Sequence, residues 1–245
     1  MRDAYTVFWR DFLILRKRFL RFFAGSMVGP LLYLTAFGWG LGMHVQMGET
    51  TYLNFVVPGI LALSAMNGSF NATSVSLNMA RLYHRTLEEF LVSPISVWSL
   101  VLGNVFGGVL RGFISAAIIL LLAFLFGAHL NVLTPWFFAA LFLTCFLFAS
   151  LGVVAAMLIN SHEDMARFST FVILPMSFLC GTFFRLEKFP AFVAHFVQIL
   201  PLTHSTLALR AAALGADFPF VSLAVLAGYA AFLFGLGIWA TSRVE

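Results

Sequence analysis

Charge is what this sequence has least of. Only 10% of its 245 residues are Asp, Glu, Lys or Arg, whereas 61% are hydrophobic and 30 are Phe. A soluble domain carries about 25% charged residues, and one soluble core cannot bury this much apolar surface. Lipid must therefore be the solvent for most of the chain. The composition excludes a cytosolic enzyme, a nucleic-acid-binding protein and a disordered regulator, and we expect no nucleic-acid partner despite the net charge of +4.

Motifs for catalysis, metal binding and nucleotide binding are also missing. The two cysteines, Cys145 and Cys180, lie in apolar runs without the spacing of metal ligands, so we interpret them as small buried side chains. The sequence has no Gly-x-Ser-x-Gly elbow, no His-Glu-x-x-His pair and no Walker A loop. It therefore predicts no catalytic residue, no metal site and no cofactor in this chain.

Long runs without charge predict where the chain crosses the membrane. A spanning helix needs about 20 apolar residues. Charge-free runs of sufficient length separate Arg21 from Glu49, Glu49 from Arg81, and Arg111 from Glu163. The last run is long enough for two spans. The sequence predicts an all-α, polytopic membrane protein whose six spans lie at about 22–43, 54–79, 103–126, 136–159, 168–184 and 219–241.

The stretch before the last span predicts two short helices. It is apolar but divided by prolines, so that each piece, at about 190–200 and 203–214, is half a bilayer long. We predict that this segment, 186–216, dips into the outer face without crossing. The candidate functional residues of this outer-face segment are Pro190, His195, Pro201, His204 and Arg210.

The Lys and Arg residues predict the orientation. With six spans and the N-terminus inside, every one of them except Arg185, Lys188 and Arg210 lies on or near the inner side. This matches the positive-inside rule, so we expect both termini to be cytoplasmic. Residues 1–21 form a basic helix with aromatic residues at helical spacing, typical of a helix lying in the inner interface. It serves as an orientation anchor, as a docking surface for a cytoplasmic partner, or as both.

The inner loop 80–97 is the most distinctive polar segment. Thr86 and Glu89 have the spacing of a capping box, so a short helix can begin at Thr86, and Pro94 limits it to about two turns. Such a helix is marginal alone and becomes useful in a partner's groove. An ordinary surface loop remains the alternative.

Uncharged polar residues recur along one face of the second span. We call Ser64, Asn67, Asn71, Ser74 and Asn78 the polar stripe; they cover about 21 Å of helix rise. Two interpretations remain open, namely hydrogen bonds between helices and the lining of a translocation path. Arg111, inside the third span, is either paired or snorkelling, or it acts in gating. Glycines four residues apart suit close helix packing, as in Gly25/Gly29, Gly103/Gly107 and Gly108/Gly112.

Four stretches together resemble one family of membrane proteins. They are Asn54-Phe-Val-Val-Pro-Gly-Ile60, Arg85-Thr-Leu-Glu-Glu-Phe-Leu-Val-Ser-Pro94, Gly107-Gly-Val-Leu-Arg-Gly112, and Phe189-Pro-Ala-Phe followed by Leu200-Pro-Leu-Thr-His204 and Arg210. In this order the chain resembles the membrane subunit of type-2 ABC transporters, the permease group that includes drug-resistance exporters and the nodulation lipo-oligosaccharide permease. The resemblance covers essentially the whole chain, 1–245, as a single permease domain.

The resemblance implies a partner and a direction. It implies two copies of an ABC ATPase that bind ATP and Mg, a second permease copy, and export of an amphiphilic or hydrophobic substrate across the plasma membrane, or the inner membrane of a host with two. It also implies that the half-helices of 186–216 lie near the exit and that 1–21 borders the ATPase. The family's coupling helix falls on Arg85, Thr86, Leu87, Glu88, Glu89, Phe90 and Leu91.

Two other classes of protein compete with this interpretation. An intramembrane enzyme predicts activity from this chain alone, although its ionisable residues are few and scattered. A passive channel or membrane scaffold predicts no dependence on a partner with a P-loop.

Overall fold

A computed structural model describes residues 2–41, 46–47, 50–83, 95–183 and 191–243. The first half contains α1 (Arg2–Lys17), α2 (Phe19–Tyr33) with a π-helical continuation (Leu34–Leu41), the two-residue antiparallel strands β1 (Gln46–Met47) and β2 (Thr50–Thr51), α3 (Tyr52–Leu82) and α4 (Val97–Leu125). The second half contains α5 (Pro135–Leu158), α6 (His162–Phe168), a π-helical turn (Ser169–Ile173), α7 (Leu174–Leu179), α8 (Ala191–Ile199), α9 (Pro201–Leu214) and α10 (Phe220–Ser242). The all-α prediction is confirmed.

Among the described residues, five helices are long and apolar enough to cross a membrane. They are Phe19–Ala36, Tyr52–Leu82, Val97–Leu125, Pro135–Leu158 and Phe220–Ser242. The count becomes six if the bent pair Phe192–Ile199 and Pro201–Leu214 is one broken span. The chain is therefore a polytopic membrane protein.

The region predicted as the fifth span, 168–184, differs from the prediction. A continuous helical run extends from His162 to Leu179, with a π-helical turn before Pro175. It begins earlier than predicted because Ser161 caps it, its Oγ accepting from the backbone N–H of Asp164 at 3.0 Å. Charged residues occupy its first two turns, so this run does not belong to the five long apolar helices.

The half-helices before the last span have the predicted bounds. α8 and α9 meet at an angle of 86°, with Leu200 between them and Pro201 at the first position of α9. Proline fits there because the first helical N–H has no partner inside the helix. α9 ends at Gly215, whose φ of +68° suits glycine at a helix C-terminus.

The N-terminal region departs from the expected single helix. α1 ends at Lys17, Arg18 breaks the helical run, and α2 begins at Phe19, so the first span begins before residue 22. The face of α1 that is buried consists of Val7, Asp11 and Leu15. None of these is one of the aromatic residues on which the helix prediction rested.

Another face of α1 carries aromatic rings. Tyr5, Trp9 and Phe12 stack in series, with ring centroids 5.9 and 5.3 Å apart, and Tyr5 is 61% exposed. Aromatic side chains in this position suit the membrane interface. α1 thus packs on the protein through one face and presents aromatic rings on another.

Helix α4 packs closely on both sides because of its glycines. A Cβ on Gly103 would lie 2.7 Å from Val7 Cβ of α1, and one on Gly108 would lie 2.8 Å from Ala149 Cβ of α5. These contacts agree with the expected glycine packing. Gly25 and Gly29 differ, since a Cβ there would find no described neighbour within 4 Å. The core is therefore built around α3, α4 and α5, whereas α2 is mostly exposed.

Candidate functional site

A cavity of about 750 Å³ lies between α1 and α2 on one side and α3 and α4 on the other. We call it the main cavity. Its uncharged polar lining consists of Ser26, Ser64, Asn67, Asn71 and Ser115. Its apolar lining includes Ile14, Leu15, Phe22, Leu63 and Val75. Its cations are Arg18, Arg21 and Arg111. Small-molecule sites typically measure about 300–1,000 Å³, so the cavity is large enough for a head group or a drug-sized molecule.

The polar stripe divides between two roles. Ser64, Asn67 and Asn71 line the main cavity, whereas Ser74 and Asn78 are buried elsewhere. Asn78 Nδ2 donates to the carbonyl of Ile159 at 3.2 Å, and its Oδ1 lies 3.2 Å from His162 Nδ1. Asn78 therefore bonds between helices, whereas the buried Ser74 Oγ has no hydrogen-bond partner among the described residues. That the first three residues line a translocation path stays a prediction.

Arg111 is paired with a carboxylate. Its Nη2 lies 3.9 Å from Asp11 Oδ2 of α1, and its Nη1 donates to the carbonyl of Ala72 at 3.1 Å. Only 13% of the Arg111 side chain and 6% of the Asp11 side chain are exposed. A buried charge is stable when it is paired and hydrogen-bonded, so this geometry supports the pairing interpretation.

Sequence reasoning missed Asp11. It lies in the middle of a basic helix, and the approach of α1 to α4 at this point depends on Gly107, whose Cβ would lie 2.7 Å from Asp11 Oδ2. The signal is the matched four-residue spacing of Val7, Asp11 and Leu15 on one helix and Gly103, Gly107 and Arg111 on the other.

Two further arginines reach the main cavity from the junction of α1 and α2. Arg18 and Arg21 line it, and their side chains form no ion pair with any described residue. Sequence reasoning used them only as markers of orientation. Their spacing of three places both side chains on similar sides of the chain as it enters α2.

Arg81 fastens the last turn of α3 to the end of α5. Its Nη1 donates to the carbonyls of Ala156, at 3.0 Å, and Met157, and its Nη2 donates to Asn160 Oδ1 at 2.7 Å. Carbonyls at a helix C-terminus have no partner inside the helix and favour a cation. Together with the Asn78 contacts, these bonds form what we call the α3 clamp, defined by Asn78 and Arg81. Sequence reasoning had counted Arg81 only as an inner-side charge.

The predicted coupling helix lies outside the described residues. Arg85, Thr86, Leu87, Glu88, Glu89, Phe90 and Leu91 all fall between the described ends of α3 and α4. The structure does describe both attachments of this segment. α3 carries the clamp, and α4 begins at Val97 after Ser96, whose Oγ accepts from the backbone N–H of Ser99 at 3.3 Å.

At the opposite end of α3, Arg210 of α9 holds three segments together. Its Nε donates to the carbonyl of Phe55 at 3.1 Å, and its Nη2 donates to that of Gly181 at 2.8 Å. The guanidinium also lies over the Phe55 ring, 3.9 Å from the centroid. These contacts join α9, α3 and the segment after α7.

The remaining residues that the sequence predicts at the outer face have different surroundings. His204 Nε2 lies 2.9 Å from the carbonyl of Gln198, and its Nδ1 lies 3.2 Å from Ser222 Oγ. Because a carbonyl only accepts, the Nε2 carries the proton, so His204 ties α9 to α8 and α10. His195 is exposed on α8, Pro201 begins α9, and Pro190 lies outside the described residues. Within the described ranges, no group of three His, Cys, Asp or Glu side chains is arranged to hold a metal ion.

The loops expected on the outer side meet one another. Asn54 Oδ1 accepts from the backbone N–H of His129 at 3.0 Å, and Asn131 N–H donates to the carbonyl of Ala213 at 2.8 Å. The start of α3, the loop before α5 and the end of α9 therefore share one end of the bundle. Helices long and apolar enough to cross a membrane, packed through glycines around a cavity with apolar and cationic walls, define a polytopic membrane protein.

The chain belongs to the ABC-2 type transporter family, whose sequence model matches residues 2–214. It is 31% identical to Nodulation protein J of Rhizobium meliloti over 219 residues, which is 89% of this chain and 84% of that protein. It is 29% identical to Nodulation protein J of Bradyrhizobium diazoefficiens over 92% of this chain and 88% of the relative. It is also 29% identical to the inner membrane transport permease YadH of Escherichia coli K12 over 84% of this chain and 82% of the relative. The family resemblance of the sequence is thereby confirmed.

Proposed function

We propose that the chain is the permease subunit of an ATP-driven exporter. It moves an amphiphilic or hydrophobic molecule, such as a lipid-linked saccharide or a drug, out across the plasma membrane. The family assignment supports a separate ABC ATPase as partner, because this sequence has no P-loop of its own. The relative named as an inner membrane transport permease supports transport and the membrane in which it takes place.

One observation carries this proposal. The coupling segment, residues 83–96, connects α3 to α4. The same two helices form one wall of the main cavity. Ser64 and Asn67 of α3 and Arg111 and Ser115 of α4 all line it. A displacement of the segment between Leu82 and Val97 therefore acts directly on the cavity wall.

The contacts between α3 and α4 favour movement as a unit. Gly112 of α4 approaches α3 so closely that a Cβ there would lie 3.1 Å from the carbonyl of Ala65, and it would also clash with Ser69 Oγ. Backbones in such contact have no room to slide past each other without separating. Closure of two ATPase subunits on ATP and Mg would push residues 85–91, and α3 and α4 would carry that shift to the cavity as one body.

The lining of the main cavity suits an amphiphile. Apolar side chains such as Leu63, Val75 and Phe22 offer surface to hydrocarbon, and Asn67 and Asn71 offer hydrogen bonds to hydroxyl or amide groups. The exposed apolar surface of α2, where Val28 and Leu32 are each at least 60% exposed, supports a second permease copy beside it. We place both termini in the cytoplasm.

Coupled hydrolysis and transport test the proposal. The chain is isolated as a complex with its ATPase partner and reconstituted in lipid. ATP hydrolysis and export are then measured on this complex. Replacing Glu88 and Glu89 by Ala should uncouple the two subunits and lower both rates. Glu163→Ala is the matched control, because Glu163 is an exposed glutamate outside the coupling segment. Equal activity of the double variant and the control contradicts the docking role, and transport or catalysis without any ATPase contradicts the ATP-driven permease itself.

A further inference from the structure

We infer that the main cavity binds the anionic phosphate-ester head group of the transported amphiphile, and that Arg18 and Arg21 are its counter-charges. The inference rests on the proposed function for the identity of the ligand as cargo. The observations behind it are the charge balance of the cavity, the position of the two arginines and the composition of the opposite wall.

The cavity carries uncompensated positive charge. Three guanidinium groups line it, and no Asp or Glu side chain is among the described residues of its lining. The carboxylate that pairs with Arg111 is Asp11, at 3.9 Å from Arg111 Nη2, and it is also shared with Arg10, whose Nη2 lies 3.6 Å away. Arg18 and Arg21 therefore have no described counter-charge. Clefts with low-dielectric walls focus such a field, which attracts an anion.

The residue types match an oxyanion, and two neighbouring guanidinium groups suit a phosphate monoester, which offers three acceptor oxygens where a carboxylate offers two. Arginine presents several N–H donors in a planar fork and pairs with phosphate oxygens through two parallel hydrogen bonds. Arg18 and Arg21, three residues apart, can address different oxygens of one head group. Across the cavity, Ser64, Asn67 and Asn71 lie at spacings of three and four and add neutral hydrogen-bonding groups.

The space around the two arginines is open on the α2 side. Gly25 and Gly29 line the cavity, and a Cβ on either residue would meet no described atom within 4 Å. A chain attached to the head group can therefore lie along α2, against apolar lining such as Phe22 and Pro30. The head group and the apolar chain of one amphiphile thus contact different parts of the main cavity.

The test compares farnesyl phosphate with farnesol, which differ only in the phosphate. Binding is measured by scintillation proximity on the full chain in phosphatidylcholine nanodiscs, without any ATPase. We expect farnesyl phosphate to bind more tightly than farnesol. The double variant Arg18→Gln/Arg21→Gln should weaken farnesyl phosphate binding roughly tenfold or more and leave farnesol unchanged. The matched control is Arg16→Gln/Lys17→Gln, which removes the same charge from exposed residues that do not line the cavity.

Three results overturn the inference or its assignment. Equal affinity for the two probes contradicts an anion site in the cavity. An equal loss of farnesyl phosphate binding in the control variant also contradicts it and attributes the binding to general membrane electrostatics. Loss of farnesyl phosphate binding in nanodiscs with about one third phosphatidylglycerol assigns the site to a resident lipid rather than to cargo. Because no ATPase is present, none of these results bears on ATP-driven transport, and a failure of coupled export leaves the binding result standing.

Discussion

The ion pair between Asp11 and Arg111 gives the sharpest prediction for stability. Replacing Asp11 by Asn keeps the shape of the side chain beside Gly107 but removes its charge. At the observed separation of 3.9 Å, two unit charges attract by about 4 kcal/mol with an effective dielectric constant of 20. After the change Arg111 keeps its hydrogen bond to the carbonyl of Ala72 but faces a neutral amide in place of the carboxylate. Removing one partner of a buried pair typically costs about 3–5 kcal/mol, so we expect a loss of about 3 kcal/mol.

Thermal unfolding in a single detergent measures the effect. For a chain of this length, 3 kcal/mol corresponds to a fall of roughly 6–12 °C in Tm. Glu163→Gln is the control, because Glu163 also lies 3.9 Å from an arginine, Arg167, but the two side chains are 86% and 67% exposed. Exposed pairs contribute about 0–1 kcal/mol, so the control should change Tm by no more than roughly 4 °C.

A reciprocal variant makes the reasoning refutable. Arg111→Met combined with Asp11→Asn removes both charges, so it should be more stable than Asp11→Asn alone. The argument fails if the double variant is no more stable than the single one, or if Asp11→Asn and Glu163→Gln lower Tm equally. Either result would mean that burial of Arg111 does not make its ion pair with Asp11 more important for stability than an exposed ion pair.

Two further predictions concern helix packing and the α3 clamp. Gly112→Ala should destabilise the chain by about 1–3 kcal/mol, because its Cβ would lie 2.7 Å from Cys145 Sγ, whereas Gly25→Ala should be neutral or slightly stabilising; thermal unfolding of both variants decides the matter. Arg81→Gln should cost about 1.5–3 kcal/mol through the lost charge-assisted hydrogen bonds to the end of α5, and an effect no larger than that of Arg167→Gln, an exposed arginine, would contradict the clamp.

The spans and half-helices were predictable because their signals are local. An apolar run long enough for the bilayer is visible in the sequence whatever it packs against. α3, α5 and α10 accordingly lie within a few residues of the predicted bounds. The break between α8 and α9 was predictable for the same reason, since Pro201 cannot continue a helix with a full set of hydrogen bonds.

Helix starts were predicted less well because charge-free runs measure lipid contact and not helix length. α4 begins about two turns before residue 103, at the cap formed by Ser96, and the helical run through α6 begins at the cap formed by Ser161. Both caps lie among polar residues beyond the apolar run. A side-chain oxygen that accepts one backbone N–H decides the start, and hydropathy does not report it.

The candidate site was predicted only in its individual components. Arg111 and the polar stripe attracted attention because polar groups are costly in lipid. Which of them share a cavity depends on how α1 and α2 lie against α3 and α4, and that placement follows from contacts distant in sequence, such as Asp11 with Arg111. The position of Arg18 and Arg21 beside the cavity was missed because six basic residues near the N-terminus already fitted the positive-inside rule.

The division of the polar stripe has a consequence for how α3 works. Near its end, Asn78 and Arg81 bind the carbonyls of Ile159 and Ala156 and hold α3 to α5. About three to four turns from Asn78, Ser64 and Asn67 face the main cavity. One helix therefore carries a fixed attachment next to the coupling segment and a binding surface at a distance. Under the proposed function, loosening the clamp should lower the amount of substrate moved per ATP hydrolysed while leaving substrate binding intact, since no clamp residue lines the cavity.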